Sequence, residues 1–263
     1  PELDLDLRFF QAHHPAAYAV DRSAGTNAIR QPLANQRDAG SLYGAIIYQK
    51  APVVMRQLEQ LIGEETMQEG LRRYLSGHLF GNAGWPDLIS ILDALTEEDL
   101  SAWNRAWVES PGRPRVRTRW TGDGITVSQT DDETGRGLRW PQTLVLAVGR
   151  DGEVAEHTVT LRGDSTRLPL PEATEPDFIL PGAAGVGYGR FLLDQRSRRH
   201  LLENVHELDS ALHRAVTWQH LREDLLEDEL EALPLFEALL TGVRLEDDAL
   251  VTQQVLNLLQ GMW

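Results

Sequence analysis

Apolar residues recur at every second position between residues 115 and 194, and at three- and four-residue spacing on both sides of that stretch. Successive strand side chains point to opposite faces, whereas a helix returns to one face every ~3.6 residues, so a change of period is a change of architecture. The first helical stretch runs from residue 27 to about 109, and in it Val54, Leu58 and Leu61, with Ile62 beside them, form one stripe. Gly63 interrupts the stripe, and Leu71, Tyr74 and Leu75 predict a second helix ending near Gly77. Trp85-Pro86-Asp87 predicts the entry to a third helix, because proline suits a first turn and aspartate favours the positive end of the helix dipole. Leu88, Ile91, Leu92 and Leu95 form its apolar face. Thr96-Glu97-Glu98-Asp99 resembles a capping box with Asp in place of Glu or Gln, opening a fourth helix that carries Leu100, Trp103 and Trp107. Pro111-Gly112-Arg113-Pro114 cannot continue that helix and marks a boundary.

In the middle stretch Val116, Thr118 and Trp120 alternate with arginines, Gly122-Asp123-Gly124 supplies a hairpin turn, and Ile125 and Val127 resume the alternation. Leu144-Val145-Leu146-Ala147-Val148 is a more continuous apolar strand, turned by Arg150-Asp151-Gly152 into Val154, His157, Val159 and Leu161. Short strands follow around Phe178-Ile179-Leu180 and across residues 188–193. Several short strands at this spacing predict a small antiparallel sandwich. Helical patterning returns at Ser197 with Leu201, Leu202, Val205, Leu208 and Leu212, then Val216, Leu221, Leu225 and Leu226. Leu258-Leu259-Gln260-Gly261-Met262-Trp263 is still inside a helical pattern, as a truncated stack of helical hairpins would be. The expected fold is α+β and multidomain, divided as 1–112, 113–194 and 195–263.

The 41% apolar and 25% charged fractions are those of an ordinary globular protein. A formal net charge of −15 repels phosphates and argues against a nucleic-acid partner, while such a field attracts the cationic N-terminus of a peptide. The lack of cysteine rules out disulfides and Cys-ligated zinc and fits a reducing, cytoplasmic compartment. No apolar run approaches the ~20 residues that span a bilayer. Pro1-Glu2-Leu3-Asp4-Leu5 reads as the middle of a protein rather than its start.

The most informative motif is Ile47-Tyr48-Gln49-Lys50-Ala51, followed by an apolar run from Pro52 and by Gly63-Glu64-Glu65. Leu58-Glu59, Leu61-Ile62-Gly63, Gly81-Asn82-Ala83 before Trp85, and Ala106-Trp107 leading to Ser110-Pro111-Gly112 come after it. Asp177-Phe178-Ile179-Leu180-Pro181 and Gly187-Tyr188-Gly189-Arg190-Phe191 complete the series. In order and spacing this series resembles the zinc aminopeptidases related to aminopeptidase N and leukotriene hydrolase, from about Asn27 onward and loosely in the final helices. Ala51 stands where that family usually has glycine; its methyl is tolerable on a helical backbone and narrows the approach to the site.

The resemblance implies the helical half of a thermolysin-like catalytic domain, a β-sandwich, and the opening helices of a superhelical C-terminal domain. It implies a catalytic role for Tyr48, whose phenol would hydrogen-bond the oxyanion of the tetrahedral intermediate. It also places Tyr43, five residues earlier, near the substrate. The family's zinc motif, His-Glu-x-x-His with a later Glu, occurs nowhere in the 263 residues. The implied zinc would belong to an N-terminal, zinc-bearing part of the same protein, the substrate would be a peptide, and this chain alone would hold no metal and be inactive. The alternative is a non-catalytic binding or scaffold module of the same ancestry.

The remaining candidates read as structural. His206-Glu207 is the only His-Glu pair, and His213 lies seven residues on, about 10 Å along a helix, too far to share one ion. His200, His206, His213 and His220 read as a partly solvated helical stripe, and His13-His14 as neighbours facing different directions. Lys50 reads as structural, its ammonium paired at the surface, and Arg30 and Arg37 lie in a polar loop over residues 27–40 that could line a cleft. There is no Gly-x-Ser-x-Gly elbow. Gly185-Val186-Gly187-Tyr188-Gly189 matches only part of a dinucleotide fingerprint and reads as a turn.

Overall fold

Asp4 opens the first helix, α1 (Leu5–Asp21), by accepting a 2.8 Å hydrogen bond from the Leu7 amide. Sequence patterning does not anticipate this helix, for a physical reason. Leu7 and Phe10 enter one hydrophobic core while Ala17 and Tyr18 enter another, and Pro15 interrupts the run, so no single apolar stripe exists. The computed structural model describes residues 4–33, 35, 37, 40, 43–131, 136–171 and 174–262. The readings made for residues 1–3, for Trp263 and for part of the 27–40 loop fall outside the described residues.

A π-helical turn (Ile46–Lys50) runs directly into α2 (Ala51–Ile62), followed by α3 (Glu64–Gly77), α4 (Trp85–Asp93) and α5 (Leu100–Trp107). Gly63 separates α2 from α3 at φ +87°, a conformation open to glycine, while its amide caps the Glu59 carbonyl. Asp87 reaches back to the Gly84 amide and closes the first turn of α4. The cap of α5 is Asp99 rather than Thr96: the Asp99 carboxylate accepts from the Ala102 amide at 2.8 Å, while Thr96 reaches only the Glu98 amide.

The strands are β1 (Pro114–Trp120), β2 (Gly124–Asp131), β3 (Gln142–Arg150), β4 (Glu153–Leu161), β5 (Ser165–Pro169), β6 (Phe178–Pro181) and β7 (Arg190–Leu192). They form two sheets, ordered β5-β2-β1-β7 and β4-β3-β6. Val116, Ile125, Val127 and Phe191 of the first sheet meet Leu144, Leu146, Val148, Val159 and Ile179 of the second in one core. Asp151 and Gly152, both at positive φ, turn β3 into β4. The expectation of a wholly antiparallel sandwich is corrected at one edge, where β7 pairs with β1 in parallel, Val116 opposite Phe191. The chain leaves β6 in one sheet and crosses to the other, so it enters beside β1 running in the same direction.

Four helices follow: α6 (Gln195–Asn204), α7 (Ala211–Leu226), α8 (Ala232–Leu245) and α9 (Ala249–Gln260). A 3-10 turn (Val205–Glu207) and the cap Ser210 separate α6 from α7, which breaks the expected histidine stripe. His200 lies on α6, His206 on the turn, and His213 and His220 are buried on α7. The molecule is thus mixed α and β with two small sheets. Three cores hold it together. One joins α2–α5 to Trp140 and Tyr188, one lies between the sheets, and one joins α6–α9 to Phe178, Leu180 and the start of α1.

Ion pairs bind the α7 end to everything around it. Asp224, fully buried, receives Arg190 of β7 at 2.7 Å and Arg198 of α6 at 2.6 Å. Glu223 receives Arg22 at 2.7 Å and also Arg113 from the boundary segment. Burial pushes the Glu223 carboxyl up, but Arg113, Arg22 and Arg190 outweigh it and hold it below the ordinary value.

Two buried histidines set an acid limit on this fold. Burial lowers His14 from 6.5 to about 3 and His220 to about 4, while their ring nitrogens bond the Gly187 and Pro181 carbonyls. Below 6.5 the unfolded chain takes up protons that the folded one refuses, so stability is full above that value and falls as pH drops toward about 4 and then 3. The slope should be about 1.4 kcal/mol per pH unit for each histidine. Urea unfolding measured stepwise through this range should follow it, and His220→Gln should flatten part of it; an unchanged unfolding midpoint down to pH 4 would contradict the assignment.

Candidate functional site

The π-helical turn determines where the Tyr48-x-Lys50 residues point. Residues two apart on a helical turn lie on nearly opposite sides, so when Ile46 and Lys50 face inward, Tyr48 faces out. Tyr48 is 55% exposed and Lys50 is 0% exposed. Ala51 has φ −58° and ψ −43°, ordinary helix, so nothing in the backbone requires glycine there.

Lys50 is not at the surface, which corrects the sequence reading. Its ammonium lies 2.8 Å from the Asp21 carboxylate, with both side chains fully buried, and donates to the Gly112 carbonyl at 2.5 Å. Asp21 also accepts from the Tyr188 hydroxyl at 2.9 Å and from the Thr26 hydroxyl at 2.5 Å. The ammonium sits 5.4 Å from the Tyr188 ring centroid and 5.7 Å from Trp140. Burial lowers the Lys50 pKa, with Asp21 opposing the shift. Burial and then the Asp21 charge raise Tyr188 well above the ordinary phenol, which keeps it a neutral donor. The glycine-rich turn is what delivers Tyr188, as at Gly189 a Cβ would lie only 3.0 Å from the Pro114 carbonyl oxygen.

A second tie secures the same turn. His13 on α1 bonds the Gln49 side chain at 2.7 Å, while His14, one step round the helix, is buried on the other side. The face left free carries Tyr43 and Tyr48, with ring centroids 5.8 Å apart and Tyr43 62% exposed. Among the described residues no hydrogen-bond partner takes the Tyr48 hydroxyl. The phenol is therefore held by its backbone and left uncommitted at its tip. Arg30 pairs with Glu109 at 3.0 Å, and Arg37 is exposed.

These residues do not suit zinc. Among the described residues no three of His, Cys, Asp and Glu gather around one point. His206 and His213 belong to different elements, and His213 bonds Glu156 of β4 at 2.8 Å. Sequence reasoning missed Asp21, Thr26 and Tyr188 as parts of the Tyr48 support, since their link to Lys50 is made only by tertiary packing.

Residues 2–107 match the peptidase family M1 domain, and the chain is similar to aminopeptidases of that family. It is 27% identical over 259 residues to aminopeptidase N of Streptomyces lividans, an alignment covering 91% of this chain and 30% of that protein. It is 22% identical over 211 residues to tricorn protease-interacting factor F2 of Thermoplasma acidophilum, covering 79% of this chain and 25% of the relative. With aminopeptidase N of Lactobacillus helveticus the identity is 30% over 126 residues, covering 46% of this chain and 15% of the relative. The chain therefore spans less than a third of the length of these relatives.

The Lys50–Asp21 pair gives a direct test of the support. Lys50→Met leaves a buried carboxylate without its cation and should cost about 3–5 kcal/mol. Adding Asp21→Asn to Lys50→Met removes the orphaned charge and should return a large part of that loss. Denaturant unfolding of the three proteins reads both values; equal stability of Lys50→Met and wild type would remove the pair from its anchoring role.

Proposed function

We propose that this chain is the part of an M1 aminopeptidase that supplies the oxyanion donor, with Tyr48 as the catalytic residue and Tyr43 beside it at the substrate. The observation that carries this reading is Tyr48 itself, exposed, uncommitted at its hydroxyl and fixed by the turn behind it. As water adds to a peptide carbonyl, the oxygen gains negative charge, and a phenol already aimed at that position strengthens its hydrogen bond as the charge grows. The product is an N-terminal amino acid released from a peptide. In this reading residues 1–112 form the helical half of a thermolysin-like catalytic domain, 113–194 a β-sandwich, and 195–263 the opening of a superhelical helical domain. The zinc typical of the family would be held by an N-terminal portion of the same protein, whose chemistry is to polarise the carbonyl and activate the water. In this reading the ligands come from that portion; among the described residues of this chain no cluster of His, Asp and Glu is placed to hold a metal ion.

In the longer enzyme, Tyr48→Phe should fold and retain metal yet lose about a hundred- to a thousand-fold in kcat, with KM little changed, because only a transition-state hydrogen bond is lost. Near-normal turnover of that variant would leave Tyr48 as a surface residue, whereas no turnover by the unmodified longer protein would favour a non-catalytic binding module. The isolated chain should hold no stoichiometric zinc after dialysis and should not hydrolyse an amino-acid anilide. One tightly bound zinc per chain, with metal-dependent turnover, would overturn the division of labour.

A further inference from the structure

Helices α1, α7, α8 and α9 border a cavity of about 280 Å³. That is just below the ~300–1,000 Å³ of sites for drug-sized ligands, so it suits a smaller molecule. Its walls are largely aliphatic, with Leu225 from α7, Leu235 and Leu239 from α8, and Leu258 from α9. Several amides also reach it, but they are already engaged. Gln253 donates to Asn257 at 2.9 Å, Gln11 donates to Gln254 at 3.3 Å, and Gln254 donates to the Ala215 carbonyl at 2.9 Å.

Among the described residues the one charged side chain lining this cavity is Arg222. Its neighbours Arg190, Arg198 and Arg214 are all paired with carboxylates. Arg222 differs: among the described residues no acceptor reaches its guanidinium. The adjacent Glu223 is committed to Arg22, Arg113 and Gln219. Burial pushes the Arg222 pKa down, and Glu223 offsets this only in part. In a chain with 40 acidic and 25 basic residues, an arginine left without a carboxylate beside an apolar cavity is an unmet demand.

We propose that this cavity is a binding site for an aliphatic monocarboxylate, with the apolar body among Leu225, Leu235, Leu239 and Leu258 and the carboxylate on the Arg222 guanidinium. The planar fork of arginine matches a carboxylate with two parallel hydrogen bonds. A single cation also suits a monoanion better than a phosphate, which would call for further donors. Two sources carry this chemistry, a free aliphatic amino acid and a short-chain acid. The inference stands on the cavity and is independent of any catalytic role for Tyr48.

Calorimetric titration of the 263-residue chain with 4-methylpentanoate, leucine and 4-methylpentanamide tests it. One carboxylate should bind saturably per chain, and the uncharged amide should bind at least about tenfold more weakly, since a charge-assisted hydrogen bond contributes roughly that much. Arg222→Gln, checked for an unchanged unfolding midpoint, should lose the same factor toward the carboxylates and none toward the amide. Tighter binding of leucine than of 4-methylpentanoate identifies the amino acid as the source, and the reverse identifies the simple acid; either order supports the site. The proposal is overturned if neither carboxylate saturates by about 10 mM, or if amide and carboxylate bind the unmodified chain equally.

Discussion

The contact between Lys50 and Asp21 holds four separate parts of this molecule at one point. Asp21 ends α1, Lys50 ends the π-helical turn, Gly112 belongs to the boundary before the sandwich, and Tyr188 belongs to the turn before β7. Burying two charges costs several kcal/mol per ion, and only dense hydrogen bonding compensates. Here the carboxylate takes the ammonium and two hydroxyls, and the ammonium adds a carbonyl and two aromatic faces. Such a cluster tolerates little displacement, because moving any member strands a charge. An apolar contact of the same size would stabilise as well, yet it would let the turn slide. The Tyr48 phenol inherits its position from that intolerance.

The α7 carboxylates apply the same principle at a larger scale. Glu223, Asp224 and the following Glu227 draw arginines from the α1 C-terminus, the boundary segment, β1, β7 and α6. Arg113 of the boundary segment both pairs with Glu223 and lies over the Tyr18 ring, 4.4 Å from its centroid. The pairs from β1 and β7 cross from the sandwich to the C-terminal helices, while Arg198–Asp224 ties two helices of one core, so these charges fix relative placement that hydrophobic burial alone would leave loosely specified.

Legibility in the sequence followed the local nature of the signal. Spacing predicts the positions of helices α2 to α5, but in α3 the expected stripe is corrected: Leu71 and Leu75 are exposed, and the helix buries Met67 and Gly70. Strands β1 and β2 alternate, β3 is a continuous apolar run, and hairpin glycines set off β1 from β2 and β3 from β4, so these strands are readable. Helix α1 is not, because it serves two cores and contains Pro15. Strand β5 escaped because its residues are polar, short in run and exposed at alternate positions. The exposure of Tyr48 ahead of α2 agrees with the oxyanion-donor role that the resemblance implies; spacing to the stripe at Leu58 and Ile62 would have placed it nearer the buried face. The burial of Lys50 is not legible either, since lysine is almost never fully buried unless paired and its partner sits in the helix that patterning hides.

Helix α1 therefore connects features that look unrelated along the chain. Its first turns enter the core of the C-terminal helices, its middle borders the Arg222 cavity, and its last residue neutralises Lys50. A helix packed on several sides cannot shift at one end without repacking the other, because interiors this dense transmit displacement rather than absorb it. The helix also bonds the turn through His13 and Gln49, so the segment presenting Tyr48 has two attachments to α1 on its inner side. The sandwich contributes Tyr188 and Trp140 to the same spot from the opposite direction. The exposed phenol thus rests on both the first helix and the sandwich, and the sandwich acts as a wall of the site's support rather than as a spacer between helical parts.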